Sequence, residues 1–68
     1  MFDKDKLHTK MVESQYTIER LASYLGINPA TFYRKSIGKS EFTRSEIQQI
    51  AKALNLNMQD VQSIFFAE

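Results

Sequence analysis

The chain has 68 residues, the size of one small domain, which can bury only about 60% of the surface that the unfolded chain exposes. It contains no cysteine, which excludes a disulfide and a thiolate zinc site, and no apolar run approaches the roughly 20 residues that span a bilayer. The formal net charge is only +1, so any binding to nucleic acid must depend on where the charges lie and not on bulk basicity.

The first helix is predicted over about residues 4–14. Asp3 or Asp5 can cap its start. Its apolar residues recur at helical spacing and are Leu7 and Met11, with Phe2 and Val12 as further candidates for the core. His8 lies among charged neighbours without a second histidine or a cysteine, so we expect it at the surface and predict no metal site.

Two short helices joined by a tight turn follow, over about residues 18–25 and 29–36. Thr17 is a good N-cap for the first of them, and Gly26 stands where that helix must end in a left-handed residue. A turn of only three residues makes the helices cross steeply, and Ala22 is small enough to permit their close approach. This is the outline of a DNA-reading helix-turn-helix.

The second helix of this motif would face outward. Asn28 caps it, Pro29 occupies its first turn, where a missing N–H costs nothing, and Phe32 falls on the face that packs back on the first helix. The residues that would protrude are Ala30, Thr31, Tyr33, Arg34 and Ile37.

Two further helices are predicted over about residues 44–54 and 58–65. Thr43 and Glu46 form a capping box at the start of the first. Its apolar positions recur at helical spacing as Ile47, Ile50, Ala51 and Leu54, and Asn55 is its predicted C-cap. Asn57 with Asp60 begins the last helix, which would bury Val61, Ile64 and Phe65. With no strand-like alternation, the sequence predicts an all-α fold.

Positive charge is concentrated at the predicted outward helix and the loop after it. Residues 29–44 contain one acidic residue, Glu41, against four basic residues, which are Arg34, Lys35, Lys39 and Arg44. Residues 45–68 are acidic, with Lys52 against three carboxylates. Such a polarised domain suits phosphate binding on one face.

The predicted base-reading residues lie on this outward helix and at its N-terminal end. Arg34 can pair bidentately with guanine, and Tyr33 can meet a thymine methyl group or a phosphate. The full set is Asn28, Pro29, Ala30, Thr31, Tyr33 and Arg34. The alternative for each is an ordinary surface residue.

Phosphate contacts are predicted where helix N-termini and loop cations coincide, at Thr17, Lys35, Lys39, Ser40 and Arg44. For Thr17 the competing explanation is its role as a cap, and for the loop cations it is simple solvation. Phe65 and Phe66 adjoin at the end of a short helix, which predicts a homodimer interface there, the alternative being that both rings cover the thin core.

The motif resembles that of the phage Cro and repressor family, which places alanine four residues before the turn glycine and an apolar residue six after it, as Ala22, Gly26 and Phe32 stand here. Nearly the whole chain is similar to short phage and prophage Cro-like proteins, in the segments Phe2 to Leu7, Phe32 to Lys35, Phe42 to Ile47 and Ile64 to Phe66. The resemblance implies a five-helix bundle that places the second motif helix in the major groove and binds a palindromic operator as a dimer.

Two positions depart from the family pattern. Lys35 stands where the wider family usually carries a large apolar residue, which predicts a more solvated end of the second motif helix. Ile18 stands where many repressors carry a glutamine that clamps a phosphate, which removes one expected contact.

We therefore expect one helix-turn-helix domain, residues 1–68, that acts as a sequence-specific, double-stranded DNA-binding transcriptional regulator, soluble in the cytoplasm of a bacterial host cell. The chain start lacks the apolar core of a signal peptide. Catalysis and cofactors are not expected, because there is no cysteine nucleophile and no glycine-rich phosphate loop. The alternatives are an antirepressor-type module that docks on another regulator protein and an excisionase-like architectural DNA-binding protein.

Overall fold

The computed structural model describes residues 1–67, which form five α-helices and no strand. They are α1 (Lys4–Glu13), α2 (Ile18–Leu25), α3 (Pro29–Ser36), α4 (Arg44–Leu54) and α5 (Met58–Phe65). The predicted all-α fold is confirmed, and the predicted helix bounds agree except that α1 ends at Glu13, with Ser14 as its C-cap.

Each helix begins where a polar side chain accepts a backbone N–H of the first turn, which satisfies a donor that has no partner inside the helix. The caps are Asp3, Thr17, Asn28, Thr43 and Asn57. Two helices end in a left-handed residue, Gly26 at φ 75° and Asn55 at φ 56°. Local chemistry thus sets most of the helix bounds.

The core is made of one stripe from each helix. Its buried apolar residues are Leu7, Met11, Leu21, Ala22, Phe32, Ile50, Leu54, Ile64 and Phe65. Val12, a candidate for this core, is instead 61% exposed, because the inward stripe of α1 runs through Leu7 and Met11, and Val12 lies about 100° around the helix from Met11.

An aromatic cluster joins distant parts of the chain. The ring of Phe42, in the loop between α3 and α4, lies 5.7 Å from each of the rings of Phe2, Phe32 and Phe65. Phe2 also stacks on Phe65 at 5.8 Å. The segment before α1, helix α3, the loop and α5 therefore share one packing unit.

Further contacts fasten the N-terminal segment and α1 to α5. Asp3 N–H donates to the Ile64 carbonyl at 2.7 Å, and Lys6 Nζ donates to Ser63 Oγ at 2.8 Å. Within residues 1–67 no helix has the length and apolar character that a membrane crossing requires.

Candidate nucleic-acid interface

The turn between α2 and α3 sets the direction of the outward helix. Gly26 adopts φ 75° and ψ 28°, and Ile27 N–H donates to the Ala22 carbonyl at 3.0 Å, which closes the end of α2. Ala22 has no exposed surface, as expected of a small residue where two helices meet. The predicted helix-turn-helix geometry is confirmed.

Helix α3 has two contrasting faces. Phe32 is fully buried, whereas Tyr33 is 51% exposed and its neighbour Arg34 is also exposed. Of the other predicted base-reading residues, Asn28, Pro29 and Ala30 are exposed and Thr31 is half-buried. Within residues 1–67 Arg34 forms no ion pair, so its guanidinium remains available to bind a ligand.

Tyr33 has a second neighbourhood besides the outward face. It lines one side of an apolar groove of about 510 Å³ between α1 and α3, together with Met11, Val12 and Ile37. Ile37, predicted to protrude, is half-buried beside it. The predicted surface residue His8 is exposed at the edge of the same groove.

The caps of α2 and α3 retain hydrogen-bonding capacity. Thr17 Oγ1 accepts from Arg20 N–H at 3.1 Å, and Asn28 Oδ1 accepts from Ala30 N–H at 2.8 Å. A hydroxyl that accepts one hydrogen bond can still donate its own proton, and an amide keeps two N–H donors. The capping role and a DNA contact are therefore compatible at both residues.

The loop that follows α3 presents the remaining predicted phosphate contacts. Gly38 adopts φ 88°, and Lys39 N–H donates to the Arg34 carbonyl at 2.9 Å, which turns the chain sharply away from α3. Lys39, Ser40 and Arg44 are all exposed. Cations beside the free N–H groups of a helix N-terminus, here that of α4, favour anion binding.

Lys35 does not belong to this exposed set. Its ammonium donates to both carboxylate oxygens of Glu46 at 2.7 and 2.8 Å, and the two side chains are only 15% and 12% exposed. The charge of Lys35 is engaged inside the protein, which argues against the predicted phosphate contact. The expected solvation of the end of α3 is wrong for the same reason.

Glu46 is the functional candidate that sequence reasoning missed. Its carboxylate also accepts Thr43 N–H at 2.8 Å, so that it closes the capping box and pairs with Lys35 at once. Burial raises the pKa of this carboxyl, but hydrogen bonds from Lys35 and Thr43 and the charge of Lys35 outweigh burial and hold the pKa below its ordinary value of 4.5. The sequence feature that could have indicated this pair was Lys35, a lysine at a position where the wider family usually carries a large apolar residue.

The two C-terminal phenylalanines separate in role. Phe65 is 7% exposed and belongs to the aromatic cluster, which leaves little of its ring accessible to the predicted dimer interface. Phe66 is 54% exposed, which leaves it alone of the pair accessible to a partner. Among residues 1–67 no group of three or more histidine, cysteine or carboxylate side chains is placed to bind a metal ion.

Comparison with known proteins agrees with this geometry. The family model of the Cro/C1-type HTH DNA-binding domain matches residues 6–65, which include helices α2 to α5 and all of α1 except its first two residues. The chain belongs to this family. No curated protein and no solved structure gives a significant match.

Membership in the Cro/C1-type family implies DNA as a partner of this chain. It supports a sequence-specific DNA-binding regulator, in a family that is typically non-enzymatic. In this chain the second helix of the motif is α3, and its outer face is exposed to solvent.

Proposed function

We propose that the whole chain acts as a dimeric transcriptional regulator of the phage Cro type, which blocks or tunes promoters in the cytoplasm of a bacterial host by binding a palindromic operator. Helix α3 enters the major groove, where Asn28, Pro29, Ala30, Thr31, Tyr33 and Arg34 meet base edges. Thr17, Lys39, Ser40 and Arg44 contact phosphates and fix the orientation of the domain.

The observation that carries this proposal is the contrast between a buried and an exposed residue of α3. Phe32 anchors the helix in the core with no exposed surface, and Arg34, two positions on, is exposed and unpaired within residues 1–67. An arginine held on a rigid helix can present its planar fork to guanine without first ordering the backbone.

The size of the domain and one exposed ring support a dimer. Two recognition helices must lie about 34 Å apart to read successive major grooves, and the domain measures 28 × 23 × 20 Å. The longest dimension of one domain is shorter than this separation, so two domains placed side by side are needed to span it. Phe66 and the 88% exposed Met1 line one groove of about 400 Å³ and offer apolar surface for that contact.

Selection of bound duplexes from a random-sequence pool tests the proposal, at about 50 mM and about 200 mM salt. The expected result is an enriched inverted repeat that the Arg34→Ala variant enriches less strongly, with binding that weakens steeply as salt rises. Binding without sequence enrichment but with DNA bending would favour an architectural protein. No binding even at the lower salt concentration would refute a DNA-binding role and favour a module that docks on another regulator.

A further inference from the structure

A buried ion pair joins the end of the recognition helix to the helix after it. Lys35 lies in the last turn of α3 and Glu46 in the first turn of α4, eleven residues apart along the chain. Every oxygen of the carboxylate is occupied, since Oε1 accepts from Lys35 and Thr43 and Oε2 accepts from Lys35.

This pair closes the loop of residues 37–43, which is held at its two ends and exposed in its middle. The Lys39 N–H bond to Arg34 fixes the first end, and Phe42, packed in the aromatic cluster, fixes the second. Between these anchors Lys39, Ser40 and Glu41 are exposed. The hydrogen bond from Lys39 places its backbone beside the end of α3, and the separation of α3 and α4, which the pair connects, sets the path of the rest of the loop.

Net stability is a weak reason for such a pair. Removing two charges from water costs about as much as their attraction returns, and well-packed apolar residues often replace a buried pair without loss. What a buried pair adds is geometry, because a misplaced partner leaves a desolvated charge. An apolar contact at position 35 would be non-directional, whereas the ion pair favours one separation of the two helix ends.

We propose that Lys35 and Glu46 are positioning residues for DNA binding: their ion pair holds loop 37–43 so that Lys39 and Ser40 reach the phosphate backbone while Arg34 reads a base. This inference rests on the proposed DNA-binding function. Without the pair the ends of α3 and α4 that hold the loop can shift relative to each other, and fixing them during binding lowers affinity even though no residue that touches DNA has changed.

The test uses the double variant Lys35→Met, Glu46→Gln, called the brace variant below. It leaves no buried charge, keeps an oxygen acceptor for Thr43 N–H and leaves the net charge of the chain unchanged. The matched control is Lys10→Met, Asp60→Asn, which removes the 3.8 Å ion pair between α1 and α5 and also keeps its capping-box acceptor. That pair touches neither α3 nor the loop.

We expect the brace variant to bind the selected operator about tenfold more weakly than the parent, and the control variant to bind like the parent. Adding Lys39→Ala to the parent should lower its affinity for DNA severalfold. Adding it to the brace variant should lower the affinity much less, because a loop cation that is not held in position contributes less to binding. A loss of stability alone would leave the effect of Lys39→Ala unchanged. Lys35→Arg, which can re-form the pair, should retain both the affinity and the full effect of Lys39→Ala.

If the parent binds and the brace variant binds equally well, or if Lys39→Ala weakens both equally, the positioning role is refuted while the DNA-binding function stands. A parent that binds no duplex refutes both. If circular dichroism finds the double variant unfolded, Lys35→Leu, Glu46→Gln gives the same comparison, because it also removes both charges and keeps an oxygen acceptor for Thr43 N–H. An unchanged effect of Lys39→Ala in that variant overturns the inference equally.

Discussion

Residues on opposite faces of α3 should respond differently to truncation to alanine. Phe32 is completely buried and Arg34 is exposed without an internal partner in residues 1–67. We therefore expect Phe32→Ala to remove much of the stability of the fold and to weaken DNA binding with it, and Arg34→Ala to weaken specific DNA binding in a protein that remains as stable as the parent.

The magnitudes separate the two variants clearly. Truncating a buried phenylalanine costs about 3 to 5 kcal/mol, and a chain of 68 residues has roughly 3 to 10 kcal/mol of total stability at 0.05 to 0.15 kcal/mol per residue. Arg34→Ala should change stability by less than about 0.5 kcal/mol. If the guanidinium pairs with guanine, its loss costs about 1 to 3 kcal/mol of discrimination, which is roughly a 5- to 150-fold weaker affinity.

Two assays distinguish these outcomes. Thermal unfolding followed by circular dichroism measures the stability of each variant, and fluorescence anisotropy with the selected operator and a scrambled duplex measures affinity and discrimination. The interpretation of α3 is wrong if Arg34→Ala lowers the unfolding midpoint as much as Phe32→Ala does. It is also wrong if Arg34→Ala binds the operator as tightly and as selectively as the parent.

Three further outcomes follow from individual contacts. Lys39→Ala should weaken binding to the operator and to a scrambled duplex alike and reduce the salt slope by about one. Lys52 is an exposed cation in the last turn of α4, and Lys52→Ala should change neither quantity. A change in base preference in Lys39→Ala would contradict a phosphate contact. The pKa of Glu46 is lowered in the folded state, so its stabilising effect is present above about 4.5 and is lost as pH falls through the folded pKa. Glu46→Gln should therefore lower the unfolding midpoint at neutral pH but not in strong acid, and an equal deficit at both would exclude the ionised pair as its source. Phe66→Ser should reduce self-association in sedimentation measurements without lowering the unfolding midpoint, and an unchanged monomer–dimer equilibrium would place the interface elsewhere.

Sequence reasoning located the helices because their ends are specified by nearby residues. Thr43 reaches only three residues to Glu46, and Gly26 needs only its own left-handed conformation. Each of these signals involves only residues that are a few positions apart in the sequence. The helix bounds and the outward direction of α3 could therefore be predicted without a structure.

Contacts between helices could not be predicted in this way. The Lys35–Glu46 pair depends on how the end of α3 meets the start of α4 in space, and each residue alone has an ordinary local explanation. Phe65 and Phe66 have the same chemistry, and only the rotation of α5 against the aromatic cluster decides which ring is buried. Side-chain periodicity predicts the buried face of a helix only to within one residue, which does not distinguish two neighbouring phenylalanines.

The aromatic cluster also determines when the recognition helix can exist during synthesis of the chain. An isolated helix of eight residues is unstable in water, and the packing of Phe32 relies on Phe42, whose ring in turn contacts Phe65 from the last helix. A nascent chain that has released only the helix-turn-helix therefore lacks the far side of its core. The ability to bind DNA should therefore arise in one step, once α5 is free to fold.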